Sequence, residues 1–244
     1  MFFSKPGEYE ACKLFSVGHL ILIILTLTGI IIALKKTIHK NKDEIKKIIK
    51  TITTITWILE IIKIGFNIYI GGVKDVNNYV PLYYCSLFLY AGTMSSFGKG
   101  KIERMGDVFL ATGGIAGGIV FIILPTTSLS TYPTLHYLSL YSFLYHGAMI
   151  YLGVLINITH YINIQMKDIL YYGCLVGVIC VIALIVNNIF DSNLMFISKD
   201  FPETPITIMY HLTGIFFTPI MIFAQMTVPF FCIYLIKSNF NKDF

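Results

Sequence analysis

The sequence predicts an all-α fold: a polytopic membrane bundle of seven helices, with the N-terminus outside and the C-terminus cytoplasmic. Two observations carry this. The chain of 244 residues is 56% hydrophobic and only 13% charged, with a mean hydropathy of +0.74, values that belong to the membrane class and not to a soluble domain. Its basic residues also gather in short loops on alternate sides of the apolar runs, as membrane orientation requires. The net charge of +5 is therefore accounted for by topology, and a nucleic-acid partner is rejected.

Seven segments qualify as spans: 14–34, 48–70, 80–97, 106–124, 137–158, 169–190 and 206–236. A crossing helix needs ~20 apolar residues for a ~30 Å hydrocarbon core. The first run ends in Lys35 and Lys36 without a small-residue cleavage site, so it is expected to be retained and not removed as a signal peptide. Lys35, Lys36, Lys40, Lys42, Lys46, Lys47 and Lys50 follow, against Asp43 and Glu44. Lys99, Lys101 and Arg104 mark the third-to-fourth loop, and Lys237 and Lys242 the C-terminal tail. The intervening loops, GGVKDVNN, PTTSLSTYPTLH and the stretch with Asp191, Lys199, Asp200 and Glu203, are neutral or acidic and are assigned to the outside.

In the second span, Thr53, Thr56, Glu60, Lys63 and Asn67 recur at steps of three and four. Glu60 and Lys63, one turn apart near mid-membrane, can neutralise each other. They form either a buried structural pair or part of a functional one. The third span begins after Pro81 and places Cys85 about one turn in. The fourth carries Gly113, Gly114, Gly117 and Gly118 in overlapping GxxxG patterns. These permit close helix contact, within the bundle as the favoured reading or else across a homodimer.

The fifth span, YLSLYSFLYHGAMIYLGVLIN, is the one around which the others are read. Ser139, Ser142, His146, Met149, Gly153 and Asn157 share one face, which must turn towards protein because unpaired polar groups are costly in hydrocarbon. His146 is then an ionisable side chain at membrane depth, a candidate functional residue. The sixth span brings Asn187, Asn188 and Asp191 to its outer end, and the long seventh carries His211 early, with Pro219 and Pro229 available to bend it.

Cys85, His146, Asn187, Asn188 and His211 come from four helices yet share one expected layer in the outer half of the bilayer. Cys85 and His146 suit a nucleophile–base pair, in which an imidazole within hydrogen-bond reach activates the thiol. An Asn or a second His would then orient the imidazole or polarise a carbonyl. Each residue also has a plainer role available: Cys as a small hydrophobe, Asn as helix glue, His211 as a bond to a neighbouring helix. The five cysteines form no CxxC, so neither a disulfide framework nor a zinc site is indicated. A metal site from His146, His211 and Asp191 is conceivable but is not the reading adopted. HExxH, GxSxG, P-loop and dinucleotide motifs are absent from the sequence.

The stretches VPLYYCSLFLY, YSFLYHGAMIYLG and DSNLMFISKDFPETP resemble three successive signatures of the YwaF-like bacterial integral membrane proteins, which are related to the eukaryotic transmembrane protein 164 acyltransferases. The matching positions are Pro81 and Cys85, then His146 and Gly147, then residues 193–197. Tyr83 departs from the pattern, standing where bacterial relatives often carry histidine. The resemblance implies a Cys85 nucleophile with a His146 base, moving a fatty acyl chain between phospholipid and lysophospholipid through an acyl-cysteine, without a soluble cofactor. Tyr84, Glu60, Asn187, Asn188 and His211 are the expected supporting or substrate-binding groups. Water as acceptor would instead make the protein a lipase. The competing reading is a transporter or transporter-associated subunit whose solute path is lined by Glu60, Lys63 and the polar stripes. Lys-, Asn- and Ile-rich usage points to a bacterial plasma membrane.

Overall fold

The computed structural model describes residues 1–72, 76–126, 128–202 and 204–240, with side chains as far as Ser238. The expectations placed on Lys74, Asp75, Thr127, Glu203 and Lys242 lie outside the described residues. Every regular element among the described residues is helical: α1 (Val17–Thr37), α2 (Lys42–Gly71), α3 (Leu87–Phe97), α4 (Lys101–Ile123), α5 (Tyr137–Ile158), α6 (Ile169–Phe190), α7 (Pro205–Thr213) and α8 (Phe217–Phe240). Five are long and apolar enough to cross a membrane: α1, α4, α5, α6 with its leading turn, and the Pro205–Ser238 unit made by α7 and α8.

The other two expected spans take different forms. A single helix covers the second, but α2 begins at Lys42 and runs for 30 residues, carrying the charges of its first turns and the Glu60–Lys63 pair. Asn41 opens it with a capping box, its side chain accepting from Glu44 N–H while Glu44 reaches back. The third is helical only over the 11 residues of α3, about 16 Å at 1.5 Å per residue, too short to cross by itself. Residues 80–83 are non-helical, and a single 3-10 turn, Tyr84–Ser86, leads into α3. Cys85 therefore sits in an irregular segment ahead of a short helix, not within a continuous one.

The last span breaks where no proline stands. Pro219 lies in the first turn of α8, where a missing N–H costs nothing, and α8 continues through Pro229. The break is at Gly214, whose φ of +52° ends α7 and opens a 3-10 turn.

α5 lies at the centre. Of the expected stripe, Ser139, His146, Met149 and Gly153 are buried and Ser142 and Asn157 half-buried, but most of the remaining circumference is buried too. α4 crosses α5 with a wide turn at Leu110–Gly114, and its freed carbonyls find new donors. Asn157 Nδ2 donates to Ala111 O at 2.7 Å, and the Tyr84 hydroxyl reaches Gly113 O at 3.4 Å. The four glycines of the GxxxG patterns are buried within the chain. A Cβ on Gly118 would lie 2.9 Å from His146 O, and one on Gly113 would lie 2.7 Å from the Tyr84 hydroxyl.

Hydrogen bonds tie the loops together at the two ends. At one, Arg104 clasps Asp168 through both its Nε, at 3.0 Å, and a second nitrogen, and also donates to Asn163 O. There Lys46 of α2 also pairs with Glu103. At the other, the N-terminal segment lies on the loop before α5: Cys12 N–H donates to Tyr132 O and Tyr137 N–H to Phe2 O.

Candidate active site

Three histidines are buried: His19, His136 and His146. Both ring nitrogens of His19 are engaged, Nε2 with Ile122 O at 3.0 Å and Nδ1 with Phe15 N–H. His136 caps α5, accepting from Leu138 N–H at Nδ1 while Nε2 donates to Ser4 O. Its ring stacks on Tyr132 with centroids 4.1 Å apart, and burial pulls its pKa below the ordinary histidine value. His146 differs. Its Nδ1 lies 2.7 Å from Ser142 O, which can only accept, so Nδ1 carries the proton and Nε2 the lone pair. Nε2 is buried without a hydrogen-bond partner. The ring is held flat against Phe121, centroids 3.6 Å apart at 6°. A neutral imidazole with a free acceptor nitrogen is the protonation state a general base needs.

Cys85 is partly buried at the 3-10 turn before α3. Tyr145, the residue before His146, donates its hydroxyl to Cys85 O at 3.0 Å, so the cysteine backbone is fastened to α5 beside the histidine. No hydrogen bond joins the Cys85 thiol to His146 among the described residues. The other cysteines lie elsewhere: Cys12 bonds Ser16 and Thr134, Cys180 is buried in α6, and Cys174 and Cys232 are exposed on the bundle's flank.

Tyr145 is the end of a ladder that the apolar and polar patterns do not mark. Tyr137, Tyr141 and Tyr145 follow one another at steps of four along α5. Tyr137 donates to Leu59 O at 2.8 Å, Tyr141 to Glu60 Oε2, and Tyr145 to Cys85 O. The signal available in the sequence was the i, i+4, i+8 spacing of three hydroxyls at membrane depth, each of which needs a partner. Glu60 is 2% exposed, and its Oε1 lies 2.6 Å from Lys63 Nζ, a contact of charges and not an aligned hydrogen bond. Lys63 also lies 5.7 Å from the Tyr141 ring centroid. Glu60 thus supports the wall of the site through Tyr141, with its charge balanced.

Tyr84 is an anchor. Its hydroxyl meets that of Tyr172 at 2.6 Å, and Tyr172 donates onward to Gln225 O. This chain pins the turn holding Cys85 to α4, α6 and α8. Asn187 is buried and fully bonded. It donates to Leu194 O and to Ser198 Oγ, and accepts from Ser192 Oγ and Leu194 N–H. It therefore shapes the loop after α6. Met195 and Phe196 of that loop have φ of +59° and +53°, strained values for such side chains. Gln225 and Thr218 hold this backbone through Met195 O and Ile197 O. The loop is joined to the segment before Cys85: Phe196 packs on Tyr83, centroids 5.0 Å apart, and Asn193 N–H donates to Asn77 Oδ1.

Two expected members stand apart. Asn188 is exposed and, among the described residues, bonds only its own helix, at Leu184 O. His211 is exposed, 3.9 Å from Asp200. The single layer expected from helix depth thus resolves into a Cys85–Tyr145–His146 neighbourhood, a supporting loop built on Asn187, and two outward-facing residues. No three or more His, Cys, Asp or Glu side chains come together as a metal site among the described residues, so His146, His211 and Asp191 do not converge.

No curated protein matches the chain, and no solved structure does. The profile of the TMEM164 family matches residues 14–237, which takes in all but the last residues of α8 and each residue of the candidate site. The chain belongs to the TMEM164 family.

Proposed function

We propose that the protein is a membrane-embedded, cysteine-dependent acyltransferase that moves a fatty acyl chain between glycerophospholipids, with Cys85 as nucleophile and His146 as base. The observation that carries this is the pairing of a thiol-bearing irregular turn, fastened by Tyr145, with the only buried histidine among the described residues whose ring nitrogen is unpartnered. Irregular backbone at membrane depth is tolerated where it is buried in protein or lines a cavity.

In the first half-reaction His146 Nε2 takes the Cys85 thiol proton as sulfur attacks the ester carbonyl of a phospholipid. The carbon–oxygen ester bond breaks, His146 returns the proton to the departing lysophospholipid oxygen, and the acyl chain remains as a thioester. In the second, a lysophospholipid hydroxyl gives its proton to His146 and attacks the thioester. The sulfur leaves and recovers that proton. Catalytic hydrogen bonds tighten in the substrate complex, so the scheme does not require a thiol–imidazole bond before substrate binds. The chemistry uses bulk lipid and no soluble cofactor.

We further take α2, and α3 with its leading turn, as the sixth and seventh crossings, the N-terminus outside and the lysine-rich end cytoplasmic, in a bacterial plasma membrane. The alternation of charged loops supports this orientation. Cys85 then stands near the outer interface, where a phospholipid ester lies. The transporter reading draws less support, because Glu60 is neutralised by Lys63 and covered by Tyr141. The test is transfer of a labelled acyl chain from phospholipid to lysophospholipid in vesicles, comparing wild type with Cys85→Ala and His146→Ala. Transfer by wild type and loss in both folded variants is expected. Equal transfer by Cys85→Ala refutes the assignment.

A further inference from the structure

α1 leans on α5 and leaves α2 at a distance. Between the three helices runs an open apolar cleft of about 510 Å³, within the size range of small-molecule sites. Its wall follows α1 from Leu22 to Ala33, about 16 Å at the helical rise. Two of its three hydroxyls are engaged by protein: Tyr151 bonds Thr37 Oγ1 at 3.0 Å, and Thr56 bonds Ile52 O. Gly29 opens onto the cleft, and a Cβ there would meet nothing within 4 Å. At Ile52 the cleft adjoins a second hollow, of about 360 Å³, walled by Lys40, Glu44 and Lys47.

The two hollows differ in chemistry as the two parts of a lipid do. Lys40 pairs with Glu44 at 2.8 Å, while no carboxylate lies within ion-pairing distance of Lys47 among the described residues. Two ammonium groups and one carboxylate leave a net positive charge at the mouth. The pair holds the Glu44 carboxyl below its ordinary range, chiefly through the Lys40 hydrogen bond, so that balance persists at neutral pH. A bilayer fills an apolar groove with hydrocarbon in any case, and the charge at the groove's mouth decides which headgroup follows. We propose that this composite cleft is a binding site for one anionic phospholipid of the surrounding leaflet, an acyl chain lying between α1, α2 and α5 and the headgroup phosphate at Lys40 and Lys47. Neither Cys85 nor His146 lines this cleft, and the lipid proposed for it takes no part in the reaction proposed at Cys85.

The test is native mass spectrometry of the full chain in detergent, titrated with phosphatidylglycerol or phosphatidylcholine. Wild type is expected to hold phosphatidylglycerol more tightly, and Lys40→Gln with Lys47→Gln to weaken it by about five-fold per lysine while leaving phosphatidylcholine unchanged. Lys35→Gln with Lys36→Gln, which removes equal charge outside the hollow, is expected to do far less. Gly29→Phe, which fills the cleft, should weaken both lipids. Equal binding of the two lipids by wild type overturns the proposal, as does an equal loss in the two lysine pairs. Unchanged binding by Gly29→Phe would show that the chain lies elsewhere.

Discussion

Replacing Lys63 by methionine isolates the buried carboxylate of Glu60. In the native protein Glu60 is 2% exposed and holds two partners, the Tyr141 hydroxyl and, 2.6 Å away, the Lys63 ammonium. Removing one member of a buried pair costs ~3–5 kcal/mol, because the remaining charge stays desolvated. Two features reduce that figure here. The Lys63 side chain is 24% exposed, so water already screens part of the attraction, and the Tyr141 bond survives the substitution. Lys63→Met is therefore expected to cost ~2–3 kcal/mol, a roughly 30- to 150-fold fall in the folded-to-unfolded ratio. In the double variant Glu60→Gln with Lys63→Met no charge remains to be buried, and the amide oxygen still accepts from Tyr141. Its stability should return to within ~1 kcal/mol of wild type. Reversible SDS unfolding in mixed micelles measures each variant. A neutral Lys63→Met, or a double variant as unstable as the single one, would refute this account of the pair. The double variant should also keep acyl transfer, whereas the transporter reading predicts that this pair matters most.

Tyr145→Phe removes only the hydroxyl that donates to Cys85 O. It should cost no more than ~1–2 kcal/mol of stability, yet slow acyl transfer by ~10- to 100-fold through misplacement of the turn. Equal transfer rates for variant and wild type would remove Tyr145 from its positioning role. Gly106→Ala drives a Cβ to 2.3 Å from Ala91 O and 2.5 Å from Ser95 N, backbone atoms that cannot rotate away. A loss of ~1–3 kcal/mol is expected in SDS unfolding, while Gly65→Ala, with nothing within 4 Å, should gain up to ~1 kcal/mol from helix propensity. His136, whose folded pKa is held below the unfolded value of ~6.5, favours its neutral form in the native state. Its contribution is complete above pH ~6.5 and is lost as pH falls through the folded value, where the unfolded chain binds more protons. The thermal midpoint should fall over that window, and less steeply in His136→Asn; an unchanged slope would remove His136 as the cause.

How far the sequence could be read follows from what hydropathy and spacing encode. α5 was legible because 22 largely apolar residues with one polar stripe admit few arrangements other than a buried crossing helix. The third span was not. Residues 80–86 are as apolar as the helix they precede, and only Pro81 hinted that the segment starts extended. In the last span two prolines drew attention from Gly214, which carries the break through its positive φ. The site divides in the same way. Counting residues from a membrane boundary gives each side chain's depth but not the direction it faces around its helix. His146 is buried within the bundle, and Cys85 is tied through its carbonyl to the neighbouring Tyr145. Asn188 and His211, expected in the same layer, face outward. The tyrosine ladder escaped because tyrosine scores as apolar in bulk, while its hydroxyl behaves at membrane depth as a donor that must be satisfied.

The central claim is that an acyl group passes through the Cys85 sulfur. The most direct measurement is intact and peptide mass spectrometry of purified protein after exposure to a phospholipid with a labelled acyl chain, before and after hydroxylamine. The account predicts one labelled acyl group on the Cys85 peptide of wild type, released by hydroxylamine and absent from Cys85→Ser and His146→Ala. An unlabelled Cys85 in protein that transfers acyl chains, or a label on any other residue, would contradict it.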